Sequence, residues 1–237
     1  MTFLINPYSL FHTPSAPSIV SANRVVQNTS GTSSGSVTSG SAASGELIIL
    51  FMSHGQNLLQ ATPITWPSGF TEGGRSNPAG NRASGAWAWK VSSGSEPSTY
   101  STSWSTGSTR SILSCLVIKD HNGFDTAYTN SQASNTNVNF SGSGTATVAP
   151  GLRLYLYSGG WGLGILTVTV ATTTPACSLV LAGAMTPAGD NTNGAGSYVV
   201  AKQELTTSLA SISHTISWTA NPSGMHYVAF TIPVKGA

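Results

Sequence analysis

The chain has 237 residues, 9 Lys and Arg against 7 Asp and Glu, and is 39% hydrophobic but only 7% charged. Soluble domains average about 25% charged residues. Ample Val, Ile, Leu and aromatics exclude the disordered class, and cations scattered without a basic run exclude nucleic acid as a partner. A chain this long buries most of its apolar surface without disulfides, and its near-neutral charge favours life inside an assembly.

Residues 1–17 hold Pro7, Pro14 and Pro17 among large apolar groups. Proline denies this segment a central strand position, so it is expected to be an extended N-terminal arm. Phe3, Leu4, Ile5, Tyr8 and Phe11 are its candidate assembly contacts, each worth about 1.5–3 kcal/mol when buried on a neighbour. The opening lacks a cationic segment and Pro7 interrupts its apolar run, so no secretory signal is expected. Residues 28–45 form a Ser/Gly-rich stretch, expected as a loop or as a plain edge strand around Ser36-Val37-Thr38.

Leu47-Ile48-Ile49-Leu50-Phe51-Met52 is continuously apolar, which predicts a central strand buried on both faces. Strands are then expected at Ile64–Trp66, Ala86–Val91, Thr99–Trp104, Ser111–Lys119, Leu152–Tyr157, Ile165–Val170, Cys177–Ala184, Ser197–Glu204, Ile212–Trp218 and Met225–Val234, punctuated by Gly, Pro, Asn and Ser. Trp87, Trp89 and Trp104 alternate within strands and belong to the core. Trp66 and Trp161 neighbour turns and are the candidate glycan contacts. No segment has convincing helical periodicity, no internal repeat stands out, and no apolar run is long enough to span a membrane. The expectation is an all-β, antiparallel double-sheet sandwich of jelly-roll type, a single domain over residues 18–237.

Chemistry-bearing residues are sparse. Cys115 and Cys177 each sit in an apolar run and are expected as buried thiols. Gly31-Thr32-Ser33-Ser34-Gly35 matches G-x-S-x-G, but in a Ser/Gly tract rather than a strand-to-helix turn, so no nucleophile is assigned. His12, His54, His121, His214 and His226 are expected on surfaces or satisfied in the core. Asp120-His121-Asn122-Gly123-Phe124-Asp125 gathers oxygens around a glycine. Its spacing matches no EF-hand, and a simple turn is the plainer reading. No catalytic residue, metal site or cofactor is expected.

Several words in residues 46–232 resemble a family of β-sandwich virion proteins of tailed bacteriophages and prophages. They are Ile64-Thr65-Trp66-Pro67-Ser68-Gly69-Phe70, Trp87-Ala88-Trp89-Lys90-Val91, Glu96–Ser105, Ile112–Asp120 and Leu179-Val180-Leu181-Ala182-Gly183, with Asn6-Pro7-Tyr8 near the start. The chain departs from the family pattern at Lys119-Asp120-His121-Asn122. The resemblance implies a non-enzymatic structural protein localised to the virion, decorating the capsid or forming part of a fibre or tail attachment. Its partners would be other virion proteins and further copies of itself in a homo-oligomer. The alternative is a carbohydrate-binding module for host-surface glycans.

Overall fold

The computed structural model describes residues 15–27, 33–54, 63–76, 83–104, 110–124, 129–135, 139–144, 149–160, 168–170, 177–185, 196–206, 212–218 and 225–237. In chain order the first eight strands are β1 (Ser18–Gln27), β2 (Ser34–Thr38), β3 (Leu47–His54), β4 (Ile64–Thr65), β5 (Thr71–Ser76), β6 (Ser84–Val91), β7 (Thr99–Trp104) and β8 (Ser111–Lys119). They are followed by β9 (His121–Phe124), β10 (Thr129–Asn135), β11 (Asn139–Gly144), β12 (Gly151–Gly160) and β13 (Val168–Val170). The last four are β14 (Cys177–Met185), β15 (Gly196–Leu205), β16 (Ile212–Trp218) and β17 (Met225–Gly236). Every pairing is antiparallel. Among the described residues no helix is long and apolar enough to cross a membrane.

The strand orders repeat. A first inner sheet runs β1-β8-β3-β6-β5 and a first outer sheet β2-β7-β4. A second inner sheet runs β10-β17-β12-β15-β14, with β9 beside β17, and a second outer sheet β11-β16-β13. Each order in the second half is the first-half order moved on by nine strands. Among the described residues the strands thus form two units of one topology, Ser18–Lys119 with eight strands and His121–Gly236 with nine.

Register makes the correspondence residue by residue. Leu47 pairs with Ile118 on one side and Val91 on the other; Leu152 pairs with Val234 and Glu204. It follows that Leu47 corresponds to Leu152, Phe51 to Leu156, Ser53 to Ser158 and Trp87 to Val200. A bulge gives independent support. β5 bulges between Glu72 and Gly74, next to Trp87, and β14 bulges between Leu179 and Leu181, next to Val200. A bulge is a localised extra residue, so its recurrence at one register position marks a shared plan. β9 also finds its place: Phe124 pairs with Val234 as Ile19 pairs with Ile118, which makes β9 the start of the second unit's first strand.

The two inner sheets pack face to face. Leu47, Ile49, Phe51, Trp87, Ile112, Leu116 and Ile118 from the first meet Leu152, Leu154, Leu156, Tyr198, Val200, Phe230 and Ile232 from the second in one core. Corresponding residues meet there. The Ser53 and Ser158 hydroxyls lie 2.7 Å apart. Gly85 sits against Phe230, and the corresponding pair, Tyr198 and Ser114, is also in contact. Similarly β3 approaches β15 while β12 approaches β6. These mated contacts define an approximate twofold axis through the Ser53–Ser158 pair. Size is exchanged across it: small Gly85 faces large Phe230, and large Tyr198 faces small Ser114, so volume is conserved where identity is not.

Each inner sheet is also covered on its outer face. The first outer sheet adds Val37, Tyr100 and Trp104 over Ile48, Leu50, Met52, Leu113, Cys115 and Val117. Behind the second inner sheet, Tyr155, Tyr157, Val199, Ala201 and Ala229 are buried, with β11 near β17 and β13 near β14. Burial on both faces explains why β3 is apolar throughout, as expected from its sequence. The expected antiparallel sandwich packing is present. The stack holds four layers where two were expected, because the sandwich occurs twice.

Candidate functional site

The described polar groups gather at one side of the first unit, where the β4–β5 connection crosses from the outer to the inner sheet. Pro67-Ser68-Gly69-Phe70 makes the crossing as a turn, with Phe70 N–H donating to Pro67 O at 3.2 Å and Gly69 at φ +83°. A positive φ of this size strains any residue with a Cβ, which is why glycine stands there. The turn leaves Trp66 and Phe70 half-buried against the outer-sheet core.

Trp66 Nε1 donates to Glu72 Oε2 at 2.9 Å. Arg75 closes on the same carboxylate with Nε to Oε1 and Nη2 to Oε2, both 2.6 Å. Burial acts to raise the Glu72 pKa, but the hydrogen bonds from Arg75 and Trp66 outweigh it and hold the carboxyl below its ordinary range. The indole is thus fixed edge-on by a charged pair, with part of its ring open to solvent.

Next to it Lys90 Nζ meets Glu96 Oε2 at 2.6 Å, and the Tyr100 hydroxyl donates to the same oxygen at 2.5 Å. Ser93 N–H donates to Glu96 Oε1 at 2.9 Å. Burial again pushes the Glu96 pKa up, while Lys90, Tyr100 and Ser93 pull it down to about 2. The Lys90 ammonium also lies 5.5 Å from the Phe70 ring centre and 5.8 Å from that of Tyr100. With both carboxylate oxygens occupied, Glu96 ties the β6–β7 loop to the sheets. Sequence reasoning missed this network; the signal was the charge-poor chain spending Lys90 and Glu96 six residues apart, on a strand and in the following loop.

A third polar group is internal. His54 ends β3 fully buried, edge-on to Trp104 at 4.9 Å, with Ser84 and Ser111 as cross-strand neighbours. Burial lowers its pKa to about 3, so the imidazole is neutral. The sequence led one to expect a histidine on the surface or in the core, and the structure puts it in the core.

Of the expected site residues, Phe3, Leu4, Ile5, Tyr8, Phe11 and Trp161 lie outside the described residues. The base of the arm is described: Ser15 exchanges two backbone hydrogen bonds with Ala237, 2.9 and 3.2 Å, and Pro17 is buried. Trp87 and Trp104 are in the core as expected, and Trp89 packs half-buried against it, edge-on to Phe124. Cys115 is a buried free thiol, raised by burial to about 12, and Cys177 a half-buried one on β14, raised to about 11. In place of a simple turn, His121–Phe124 form β9 beside β17, with Gly123 N–H on His121 Nδ1 at 3.1 Å and His121 Nε2 2.8 Å from Gly45 O. Among the described residues no three His, Cys, Asp or Glu side chains are grouped to hold a metal ion. Comparison of the chain with family models, with curated proteins and with solved structures gives no match.

Proposed function

We propose that the chain is a non-enzymatic structural subunit of a bacteriophage virion, decorating the capsid or forming part of a fibre or tail attachment. In this reading each unit is a jelly roll. The observation that carries it is the strand order β1-β8-β3-β6-β5 over β2-β7-β4, with its repetition in the second unit. Eight strands in two sheets of this order are the architecture used by viral capsid and lectin domains. Fold alone does not choose a function. The bacteriophage-like words add the virion setting: Trp87, Tyr100 and Trp104 serve the core and Glu96 locks a loop, so their roles are architectural. The arm would supply attachment. Its described base pairs Ser15 with Ala237, and the apolar groups before it would dock on another virion protein or a second copy. No catalytic residue and no cofactor are assigned.

Removing residues 1–14 tests this. The truncated protein should keep its melting temperature, because the Ser15–Ala237 pairing remains, and should lose self-association or attachment to the particle. Unfolding on truncation, with assembly of the surviving folded fraction unchanged, would contradict the docking role.

The glycan-binding reading is favoured by one feature, the half-exposed Trp66 held by Glu72 and Arg75. Retention on a host-surface glycan array that disappears in Trp66→Ala would establish it; no retention by the intact protein would remove it.

A further inference from the structure

His121 is held in one tautomer by its two partners. Gly123 N–H can only donate, so Nδ1, at 3.1 Å, accepts and carries no proton. Gly45 O can only accept, so Nε2, at 2.8 Å, carries the proton and donates it. A bare ring nitrogen thus rests on a backbone amide N–H, while a carbonyl orients the other side of the ring. This is the arrangement of a general base steadied by a third group. The amide it touches joins Asn122 to Gly123. Asn122 is exposed. Gly123 stands at φ +72°, and among the described residues nothing lies within 4 Å of where its Cβ would be. β9 pairs with β17 at His121–Gly236 and at Phe124–Val234, and the register shifts between them. The Asn122–Gly123 peptide lies in that irregular stretch, between the two paired positions.

We propose that Asn122 is a self-modification site, converted to aspartate and isoaspartate with His121 as the general base. His121 Nδ1 takes the Gly123 amide proton as Gly123 N attacks the side-chain carbonyl carbon of Asn122. The bond from that carbon to the carboxamide nitrogen breaks. The nitrogen leaves as ammonia, with the proton that the imidazole returns. A five-membered succinimide remains, and solvent water opens it at either carbonyl to give Asp or isoAsp. The sum is Asn and water giving Asp or isoAsp and ammonia, and no electron changes hands. Glycine at position 123 matters because a side chain there would crowd the attacking nitrogen.

Either product adds a carboxylate to a chain with only 7 Asp and Glu. IsoAsp also adds a methylene to the main chain between two paired positions of β9. The change falls beside the base of the arm, because Asp120 O accepts the Ala237 N–H at 3.1 Å that also reaches Ser15 O at 3.2 Å. Among the described residues around His121, the charged groups are Lys119 and Asp120 before it, Glu46 after Gly45, and Lys235 before Gly236. None of them is an imidazole, the side chain that ordinarily titrates between about pH 5 and 8. The chain also carries its own comparison: Asn193-Gly194 is the same dipeptide, outside the described residues. The inference does not depend on a virion role.

Incubation of the full-length protein at a series of pH values from about 5 to 9, with peptide mapping of Asp and isoAsp at positions 122 and 193, provides the test. Conversion without a positioned base climbs with hydroxide through the whole series. Conversion at Asn122 should climb and then level once the imidazole has lost its proton. His121→Gln keeps an acceptor for Gly123 N–H and a donor for Gly45 O but has no basic nitrogen. It should slow conversion at Asn122 at least about tenfold and leave Asn193 unchanged. Melting curves check that the variant is folded, and the pH series on the wild type needs no variant. No conversion at Asn122 in the folded wild type overturns the proposal. So does a rate at Asn122 that climbs with hydroxide and never levels. Conversion in folded His121→Gln at the wild-type rate would make His121 a brace alone and refute its role as base.

Discussion

The two units place different chemistry on the same backbone. Facing the outer sheet, β3 of the first unit carries Ile48, Leu50 and Met52; β12 of the second carries Arg153, Tyr155 and Tyr157 at the corresponding positions, all buried. Lys90, which reaches the surface of the first unit, corresponds to Gln203, which is buried in the second. There the Tyr155 hydroxyl donates to Gln203 Oε1 at 2.8 Å, and Arg153 hydrogen-bonds Tyr155. One interior is filled by volume, the other by directed polar contacts. An antiparallel sandwich frame tolerates either, provided buried polar groups find partners. The shared inner core is apolar from both sides, and it is what joins the units.

Substitutions at matched positions sharpen this contrast. Leu50→Ala in the first interior should cost about 2–5 kcal/mol, since it leaves a cavity in a close-packed core. Tyr155→Phe, at the corresponding position, should cost about 1–3 kcal/mol, the loss of the hydroxyl's hydrogen bonds to Gln203 and Arg153 with little change of volume. Urea titration of both variants checks the ratio. Equal effects would mean the two interiors are not built differently.

The pH dependence separates the units next. His54 has no counterpart in the second unit, where Gly159 occupies its position. Its folded pKa, about 3, lies below the ordinary value of 6.5. The unfolded chain therefore binds more protons between those values. Stability is complete above pH 6.5 and falls as pH drops through the window to 3. From pH 7 to pH 5 the loss should be about 2 kcal/mol. Glu96, depressed to about 2, adds its own loss only below its ordinary value of 4.5. His54→Met should flatten the slope between pH 7 and 5 whatever it does to absolute stability; an unchanged slope would show that other groups titrate there.

A smaller effect probes the axis itself. Ser158 Oγ donates to Ser84 O at 2.7 Å, which leaves Ser53 as the donor to Ser158. Ser158→Ala removes both the acceptor of the Ser53 hydroxyl and a donor to the Ser84 carbonyl and should cost about 2 kcal/mol, while Ser53→Ala loses one bond and should cost about 1 kcal/mol. The opposite order would reverse the donor assignment.

The sequence was most legible where one face or both faces are buried. The continuous run at Leu47–Met52 and the alternation at Thr99–Trp104 correspond to β3 and β7. It was least legible where strands are polar or rich in glycine. β5, Thr-Glu-Gly-Gly-Arg-Ser, has no apolar period because it is a bulged edge strand, and Gly73 is required where the Trp87 ring fills the space of a Cβ. β10 and β11 were hidden in similarly polar stretches, and β1, Ser-Ile-Val-Ser-Ala-Asn-Arg-Val-Val-Gln, mixes apolar and polar residues without strict alternation. The duplication was invisible for a different reason. The offset between corresponding residues grows from 105 at Leu47/Leu152 to 113 at Trp87/Val200 and 116 at Ile118/Val234. Packing conserves combined volume across the axis and not identity, as Gly85 and Tyr198 show. Among the identities that survive are Leu47/Leu152, Ser53/Ser158, Ala88/Ala201, Lys119/Lys235 and the Ser-Trp pairs at 103–104 and 217–218. Of the candidate site, the half-exposed Trp66 was legible from its turn, while the Glu72–Arg75 clamp depends on the bulge that brings the two together.

The account rests on two equivalent units meeting about an axis at Ser53 and Ser158. The direct measurement is cross-linking. In the double variant S53C/S158C the two sulfurs should lie within disulfide reach. Mild oxidation of the folded monomer should give one intrachain bond, mapped by peptide mass to residues 53 and 158, with Cys115 and Cys177 left free. If both new thiols remain reduced in a folded monomer, or bond elsewhere, the units do not meet face to face at corresponding residues and the duplicated architecture is wrong.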